Sequence, residues 1–349
     1  MHRHRRLARL AALPVATAVA IALLAPAGAG AAPKQGTVTL RLGYFPNVTH
    51  ASAIVGVEGG IFEQKLGDNV KLDTSTFNAG PQVVEALNSG ALDASYIGPN
   101  PAINAFAQSG GEAIRIISGA TSGGAFLVVK PDIKSAKDLK GKKVASPQLG
   151  NTQDVALRTW LKKKGLKTDT AGGGDVSILP QDNAQTLDLF KQGQIDGAWV
   201  PEPWATRLVQ EGGGKVLVDE RTLWPKGRYV TTQLIVRTEF LKDHPDAVKR
   251  LLEGQVAANE LIKSDPQRAQ QLVGQGIERA TGKPLAADVI ASSFGNLEFT
   301  NDPIASSLRK SAKDAQAVGL LKPVNLKGIY DLKLLNQVLE QEGEPSLKA

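Results

Sequence analysis

The residues best suited to chemistry lie in loops that combine glycine or proline with small polar side chains. Asparagine, threonine, serine and glutamine present hydrogen-bonding groups without charge, and they also cap helix N-termini, whose free N–H groups attract anions. None of these loops contains arginine or lysine. The pattern predicts the binding of a small anion by neutral donors, with plain helix capping as the alternative for any one loop. The seven loops are YFPNVTH at Tyr44, FNAGPQ at Phe77, IGPNP at Ile97, SGATSGG at Ser118, PQLGNTQD at Pro147, LPQDNAQ at Leu179 and VPEPW at Val200.

Three carboxylates lie in these loops: Asp154, which we place in the first turn of a helix, Asp182 and Glu202. Asp182 and Glu202 suit either recognition of a cationic or hydroxyl group on a ligand or general acid–base catalysis. Other enzyme signatures are missing from the sequence, since it has no nucleophile elbow, Walker loop, dinucleotide fingerprint or zinc-ligand pair. We therefore expect no catalytic residue, no metal and no cofactor, and an enzyme using Asp182 and Glu202 stays as the alternative.

Alternating strand-like and helical patterns must position these loops. Ten short apolar runs between Val38 and Val236 indicate strands, and helical patterns separate many of them. This alternation is typical of a mostly parallel sheet with helices on both faces. Ligands bind such sheets beyond the carboxyl ends of the strands, where the loops lie. The tail beyond His244 is predicted to be mainly helical and to pack across the first part of the fold.

A short pattern occurs twice in the chain. GALDASYIGPNPA begins at Gly90, and GQIDGAWVPEPWA begins at Gly193. In each copy a glycine follows a helical segment, an apolar run comes next, and a proline-bearing loop starts a new helix. The repeat predicts one such helix–strand–helix unit in each of two lobes.

Two polar breaks suggest where the chain passes between lobes. One follows Val129, and the other spans residues 221–228. Crossing at both makes residues 37–129 plus 229–349 lobe 1, and makes residues 130–228 an inserted lobe 2. The predicted fold is α/β and two-lobed, with a mostly parallel sheet flanked by helices in each lobe and two crossing strands between them.

Residues 1–31 have the pattern of a secretory signal peptide. Four arginines precede an apolar run from Leu10 to Leu24, and small residues follow it, which predicts cleavage after Ala29 or Ala31. Removing these arginines takes four charges from the net charge of +7, and no basic patch interleaved with aromatics remains, so we expect no nucleic-acid partner. The chain has no cysteine. We expect an exported protein, periplasmic or extracellular, that is not a lipoprotein.

The sequence resembles the nitrate/sulfonate/taurine family of periplasmic solute-binding proteins, the receptors of ATP-driven importers. The resemblance spans about Val38 to Leu252. It implies a type II periplasmic-binding-protein fold, a ligand held between the lobes, and a membrane permease that receives the closed form. The segments that carry it are, in order, LRLGYFPNVTHASAIVGVEGGIF, GPQVVEALNSGALDASYIGPNPAINAF, LVVKPDIKSAKDLKGKKVASPQLGNTQDVALRTWL and GQIDGAWVPEPWATRL.

The resemblance also implies a set of ligand contacts. Trp204 and Tyr44 are candidates to cover the organic part of a ligand. Related enzymes of pyrimidine synthesis carry a donor histidine in the loop that corresponds to Pro99–Pro101, and this chain has none there. Carried over position by position, the contacts fall on Asn47, His50, Gly80, Pro81, Asn100, Thr121, Ser122, Asn151, Thr152, Gln153, Glu202 and Trp204.

We therefore predict the extracytoplasmic substrate-binding component of an ABC importer, a monomer that binds a small organosulfonate of the alkanesulfonate or taurine type. A receptor for nitrate or for a pyrimidine-type thiamine precursor is the alternative within the family. The sequence leaves these open because sulfonate and nitrate recognition both rest on backbone groups, whose geometry residue names do not report.

Overall fold

The computed structural model describes residues 37–349, in which strands and helices are interspersed up to β10 and helices predominate after it. The signal peptide predicted for residues 1–31 lies outside the described residues. The strands are β1 (Val38–Tyr44), β2 (Val70–Thr76), β3 (Ala94–Ile97), β4 (Ile114–Gly123), β5 (Ala125–Val129), β6 (Lys143–Ser146), β7 (Ser177–Pro180), β8 (Gly197–Pro201), β9 (Lys215–Asp219), β10 (Val230–Arg237) and β11 (Leu297–Phe299). The helices are α1 (Ala51–Glu58), α2 (Ile61–Leu66), α3 (Gly80–Asn88), α4 (Pro99–Gln108), α5 (Thr152–Lys163), α6 (Asn183–Lys191), α7 (Trp204–Gln210), α8 (Thr238–Asp243), α9 (Pro245–Ser264), α10 (Pro266–Thr281), α11 (Ala287–Phe294), α12 (Ala305–Ala317) and α13 (Lys333–Gln341).

The strands form two sheets with the same core topology. The first sheet has the order β11-β4-β10-β3-β1-β2, and the second has the order β7-β6-β8-β5-β9. In the first sheet β10 runs antiparallel to both of its neighbours, and in the second sheet β5 does the same. The strands β1, β2, β3 and β4 share one direction, as do β6, β7, β8 and β9, while β11, like β10, runs against β4, so both sheets are mixed with most strands in one direction. This confirms the predicted α/β architecture.

The repeated sequence pattern occupies equivalent places in the two sheets. Its strands are β3 and β8, each lying between one parallel and one antiparallel neighbour. The aspartate before each strand plays the same part in both sheets. The Asp93 carboxylate accepts the backbone N–H of Arg41 at 2.9 Å, and that of Asp196 accepts the N–H of Lys143 at 2.8 Å. The repeat therefore records one structural unit used twice.

The chain crosses between the sheets earlier than the sequence suggests. Strand β5 (Ala125–Val129) pairs with β8 and β9, so it belongs to the second sheet and the predicted boundary after Val129 is too late. The crossing takes place at Gly123 and Gly124, whose φ angles of +84° and +71° are easily reached only by glycine. The polar segment 130–142 is a connection inside the second sheet's lobe. The return passes through residues 220–229, which hold two 3-10 turns, into β10.

Helices cover both faces of each sheet and bury its apolar side chains. On the first sheet, α1, α2, α9, α10 and α13 pack on one face, and α3, α4 and α12 pack on the other. On the second sheet, α5 covers one face, while α6 and α7 cover the opposite one. Fully burying one large apolar side chain contributes about 1.5–3 kcal/mol, so these layers hold the strand ends firmly. Within residues 37–349, no helix combines the length and apolarity required to span a bilayer.

We call residues 37–123 plus 230–349 the first lobe and residues 125–219 the second lobe, following the sheets. The C-terminal helices α9, α10 and α13 pack on the first sheet, as the sequence predicts for the tail beyond His244. The carboxyl ends of β1, β3, β6 and β8 lead into loops that meet where the lobes face each other. The fold thus brings the polar loops of both lobes to one place.

Candidate functional site

A small cavity lies between the lobes at the carboxyl ends of the strands, and we call it the inner cavity. Its volume is about 30 Å³, which is room for roughly two water molecules. None of its lining residues is an acid, a lysine or an arginine. The first lobe contributes Phe45, Asn47, Thr49, His50, Gly80, Gly98, Pro101, Thr231 and Thr232, and the second contributes Asn151, Thr152, Gln153 and Pro201.

Four helix N-termini converge on the inner cavity. A 3-10 turn ending at His50 leads into α1, Gly80 is the first residue of α3, Gly98 caps α4, and Asn151 caps α5. The first N–H groups of a helix have no carbonyl partner within it, and the helix dipole places partial positive charge there. Their convergence gives the cavity a positive electrostatic potential without any charged side chain, and this potential favours a small anion.

The N-terminus of α5 is held rigidly toward the cavity. The Asn151 side-chain oxygen accepts the backbone N–H of Asp154 at 2.9 Å, and its amide nitrogen donates to the Gln153 side-chain oxygen at 3.2 Å. With its oxygen occupied, Gln153 keeps its own NH₂ group as a donor at the cavity wall. The Thr152 and Gln153 backbone N–H groups are the first two of this helix, so they are also left to donate.

The carboxylate of Asp154 is neutralised beside this helix start. It accepts the Arg158 Nε–H at 3.0 Å, the Gly150 N–H at 3.0 Å and the Ser146 hydroxyl at 2.9 Å. Both charged side chains of the pair are at most 1% exposed. An unpaired carboxylate here would repel an anion, whereas the buried pair fixes the loop before α5 and adds no net charge.

His50 contributes a neutral imidazole. Burial lowers the pKa of His50 to about 3, so the ring is uncharged at neutral pH. Its Nδ1 accepts the backbone N–H of Phe45 at 3.3 Å, and its ring stacks on that of Phe45 with centroids 4.3 Å apart. Because Nδ1 is an acceptor, the proton lies on Nε2, which makes His50 one more neutral donor among the cavity residues.

Thr232 has a buried hydroxyl that no described residue pairs with. The side chain is 1% exposed and lines the inner cavity, and its Oγ1 has no hydrogen-bond partner within residues 37–349. A buried hydroxyl without a partner costs about 1–3 kcal/mol. This orphaned group therefore points to a bound molecule as its missing partner.

The lobes approach each other closely at the cavity, where Gly98 of the first lobe faces Thr152 of the second. A Cβ atom at Gly98 in the first lobe would lie 2.3 Å from the hydroxyl oxygen of Thr152 in the second lobe. A side chain at position 98 would therefore force the Thr152 hydroxyl out of its present position. Gly98 thus lets the helix starts of both lobes reach the same small space.

A second, larger cavity of about 230 Å³ lies next to the first, and we call it the outer cavity. Its lining includes the apolar side chains of Phe77, Leu187, Trp204 and Leu285 together with several charged groups. Asn47 lines both cavities. The arrangement offers a small polar space for an anionic head and a wider, partly apolar space beside it.

Seven of the twelve predicted contact residues line one of the two cavities. Asn47, His50, Gly80, Asn151, Thr152 and Gln153 line the inner cavity, and Trp204 lines the outer one. Pro81 lies outside both linings, next to Gly80 in the first turn of α3.

Three other predicted contacts have side chains bonded to the first lobe or to the segment that returns to it. Asn100 donates its amide to the Ser311 carbonyl at 3.3 Å, and the Thr121 hydroxyl donates to the Thr49 carbonyl at 2.8 Å. The Ser122 hydroxyl accepts the backbone N–H of Tyr229 at 3.2 Å. Tyr44 is also corrected, because its ring lies in the core of the first lobe instead of over a ligand.

Glu202 does not face either cavity, contrary to the expectation that it contacts the ligand. Its carboxylate is buried and lines neither cavity. It accepts hydrogen bonds from the Thr206 N–H at 3.0 Å, the Thr206 hydroxyl at 2.9 Å, the Asn296 amide at 2.7 Å and the Ser293 hydroxyl at 3.3 Å. Burial raises the pKa of Glu202 above its usual value, and these four donors oppose that shift. Glu202 therefore fastens α7 to the first-lobe segment around α11 instead of facing a ligand.

The two carboxylates of the enzyme alternative, Asp182 and Glu202, do not face a common cavity. Asp182 lines the outer cavity, while Glu202 is held among Thr206, Ser293 and Asn296. In the described part of the chain no group of three or more histidine, cysteine, aspartate or glutamate side chains has the arrangement of a metal site. Asp182 and Glu202 therefore do not form an acid–base pair in either cavity.

Sequence reasoning missed the contribution of β10. Thr231 and Thr232 lie on this strand and line the inner cavity, whereas the sequence pattern indicates only a strand that returns to the first lobe. The signal that could have found them is a pair of hydroxyl residues in a strand that is otherwise buried and mostly apolar. Hydroxyls in such a strand need partners, which indicates a nearby polar site.

Comparison with known sequences decides the family. The pattern of the NMT1-like family matches residues 33–275. The chain belongs to the NMT1-like family. The taurine-binding periplasmic protein of Escherichia coli (strain K12) is 29% identical to this NMT1-like protein over 205 residues, covering 59% of this chain and 61% of the relative.

Solved structures with the same fold support the architecture. The alkanesulfonate-binding protein SsuA from Xanthomonas axonopodis pv. citri, bound to MOPS, has a TM-score of 0.69 at 22% identity, covering 83% of this NMT1-like chain and 96% of that one. The periplasmic nitrate-binding protein NrtA from Synechocystis PCC 6803 has a TM-score of 0.73 at 18% identity, covering 88% of this chain and 89% of that one. The NMT1-like protein thus has the two-lobed type II fold of periplasmic binding proteins.

Proposed function

We propose that this protein is exported and serves as the substrate-binding component of an ABC importer, holding the anionic head of a small organosulfonate in the inner cavity. The observation that carries the proposal is the convergence of four helix N-termini and neutral donors from both lobes on one small space. Taurine and alkanesulfonates are named for relatives and structural neighbours of the chain, which supports the choice of ligand class.

The energetics are sufficient without an arginine. A charge at a partly buried helix N-terminus gains about 1–2 kcal/mol. Four such termini contribute about 4–8 kcal/mol, close to the roughly 8 kcal/mol that micromolar affinity requires. The neutral donors of His50, Gln153 and Thr232 add to this and select for an anion that accepts several hydrogen bonds at once.

The mechanism follows from the origin of the donors. Because the first lobe supplies His50 and Thr232 while the second supplies Thr152 and Gln153, an anion bonds to both sets only when the lobes are closed. Binding then shifts the population toward the closed form. The closed form would be the one that a membrane permease accepts, and the protein acts as a monomeric carrier, with no enzymatic step.

The size of the inner cavity is also compatible with a second candidate ligand, nitrate. About 30 Å³ also suits nitrate, which has no organic part to place. The outer cavity of about 230 Å³ favours a ligand with an organic tail.

A thermal-shift screen separates the candidates. We expect alkanesulfonates or taurine to raise the melting temperature progressively with ligand concentration, by mass action on the folded state. Nitrate and a pyrimidine-type thiamine precursor serve as competing probes. Stabilisation by nitrate alone would replace the sulfonate proposal, and turnover of a probe would replace the carrier proposal.

A further inference from the structure

The outer cavity has one side that is rich in hydrogen-bond acceptors. Asp182, Asn183 and Asp188, all at the start or on the first turns of α6, line it together. The rest of the lining includes the apolar side chains of Phe77 and Ile277. A ligand tail that enters the outer cavity would contact apolar side chains first and then these side-chain oxygen atoms.

Asp182 does not have the ordinary role of its position. It is the N-cap residue of α6, yet its side chain makes no capping hydrogen bond. Its Oδ2 instead accepts the amide of Asn78 at 3.2 Å, across from the second lobe to the first. The carboxylate is therefore turned into the space between the lobes and is available to a ligand there.

Asn183 adds an independent sign of a missing partner. Its side chain is 7% exposed, it lines the outer cavity, and its Oδ1 accepts no hydrogen bond from any residue within 37–349. A buried carbonyl oxygen without a donor is costly. A donor group on a ligand would satisfy it.

The cations near the outer cavity do not cancel this acceptor surface. Arg207 is paired with Glu211 by two hydrogen bonds of 2.6 and 3.1 Å, and its guanidinium lies 4.9 Å from the centre of the Trp204 ring. Lys283 lines the cavity from the loop after α10. Within the described residues no ion pair joins Lys283 to a carboxylate.

We infer that Asp182 and Asn183 form a specificity subsite for a cationic or hydroxyl donor at the end of the ligand's tail. The ligand is then an organosulfonate with an anionic head for the inner cavity, an apolar middle section and a donor end. This inference rests on the proposed function, because the head must first be held by the helix N-termini. The Asn78 amide holds the Asp182 carboxylate in place across the gap between the lobes.

The test compares two sulfonates of nearly the same shape. In 3-aminopropanesulfonate an ammonium replaces the terminal methyl of butanesulfonate. We expect the protein to bind the amino compound about three- to fivefold more tightly at low salt, since a solvent-accessible ion pair gives an effect of this size. Asp182→Asn should abolish the preference, lowering the affinity for the amino compound relative to that for butanesulfonate, as measured by titration calorimetry.

Controls separate this subsite from general charge effects. Glu112→Gln removes one exposed negative charge away from both cavities and should preserve the preference. Raising the salt concentration should reduce the preference by screening. Asp182→Lys, which reverses the charge, should make butanesulfonate the tighter ligand.

Each outcome bears on one of the two proposals. Equal affinities for both sulfonates in the unchanged protein, or an Asp182→Asn effect that is the same for both, would overturn the subsite and leave the sulfonate receptor standing. Tighter binding of a disulfonate that Lys283→Gln abolishes would also overturn it, because the tail would then be anionic. Absence of binding by either sulfonate would overturn the proposed function and the subsite with it.

Discussion

The indole N–H of Trp204 donates a hydrogen bond of 2.8 Å to the side-chain oxygen of Asn47. Asn47 follows β1 in the first lobe and Trp204 begins α7 in the second, so the bond joins the lobes. Asn47 lines both cavities, while Trp204 lines the outer one. The pair therefore lies where the inner and outer cavities meet and links closure of the lobes to the ligand's position.

Closure can be measured through this pair. A ligand that bonds to both lobes should lower the radius of gyration in small-angle X-ray scattering. Trp204→Phe removes the indole donor and keeps an aromatic ring, so it should weaken ligand binding by roughly tenfold or less, the value of one hydrogen bond. A radius that is the same with and without a saturating ligand would contradict closure of the two lobes on it.

Thr152 should contribute directly to affinity. Thr152→Val keeps the shape of the side chain but removes a hydroxyl at the inner cavity. We expect a loss of about 1–2 kcal/mol, or roughly tenfold in dissociation constant by calorimetry. Thr170→Val, at an exposed site of the same lobe, is the matched control and should bind like the unchanged protein. If Thr152→Val also binds normally, Thr152 is only a spacer.

Thr232 should show opposite effects on stability and on binding. Its hydroxyl is buried without a partner in the described structure, so Thr232→Val should raise the free energy of unfolding of the unliganded protein by about 1 kcal/mol. The same change should weaken ligand binding severalfold. Urea denaturation and calorimetry measure the two effects, and a variant that is less stable yet binds normally would show that the hydroxyl has an internal role.

His50 should make stability depend on pH. Its pKa of about 3 in the folded protein lies below the usual value of 6.5, so the unfolded chain binds more protons between these values. Stability should therefore rise with pH in this window and fall as pH decreases from about 6.5 toward 3, by up to about 1.4 kcal/mol per pH unit. His50→Asn keeps an acceptor for the Phe45 N–H and should flatten this slope in urea titrations at pH 7 and pH 5. An equal slope in both proteins would mean that His50 is solvated.

Glu202 should matter for stability and not for ligand choice. Glu202→Gln replaces a carboxylate that accepts four hydrogen bonds, so it should lower the free energy of unfolding by about 1–3 kcal/mol. Its effect on taurine and on an alkanesulfonate should be equal, because the side chain lines neither cavity. Glu211→Gln changes a more exposed carboxylate at the end of α7 and should have a smaller effect on stability. Selective loss of taurine binding would return Glu202 to the ligand site.

Local patterns in the sequence were enough to predict most of the strands and to suggest a class of site. Apolar runs of strand length marked ten strands, and the loops after them carried the glycine, asparagine and threonine residues that start helices. The anion-binding interpretation followed because free helix N–H groups are a property of every helix start. Strand β11 was missed, since its three residues give too short a pattern.

The tertiary structure alone decided which polar residues face the cavities. Asn100, Thr121 and Glu202 have residue types that also suit a ligand site, but their partners are Ser311, Thr49 and Asn296. These contacts depend on which face of a strand or helix packs against a distant segment, and local spacing carries no information about that.

The crossing point shows the same limit. Strand β5 is apolar enough for either sheet, and only its pairing with β8 and β9 assigns it to the second lobe. Likewise, Thr231 and Thr232 reach the inner cavity because β10 returns to lie between β3 and β4. Sequence determines where hydrogen-bonding groups occur along the chain; the packing of strands far apart in sequence determines which of them remain unpaired and therefore free to bind.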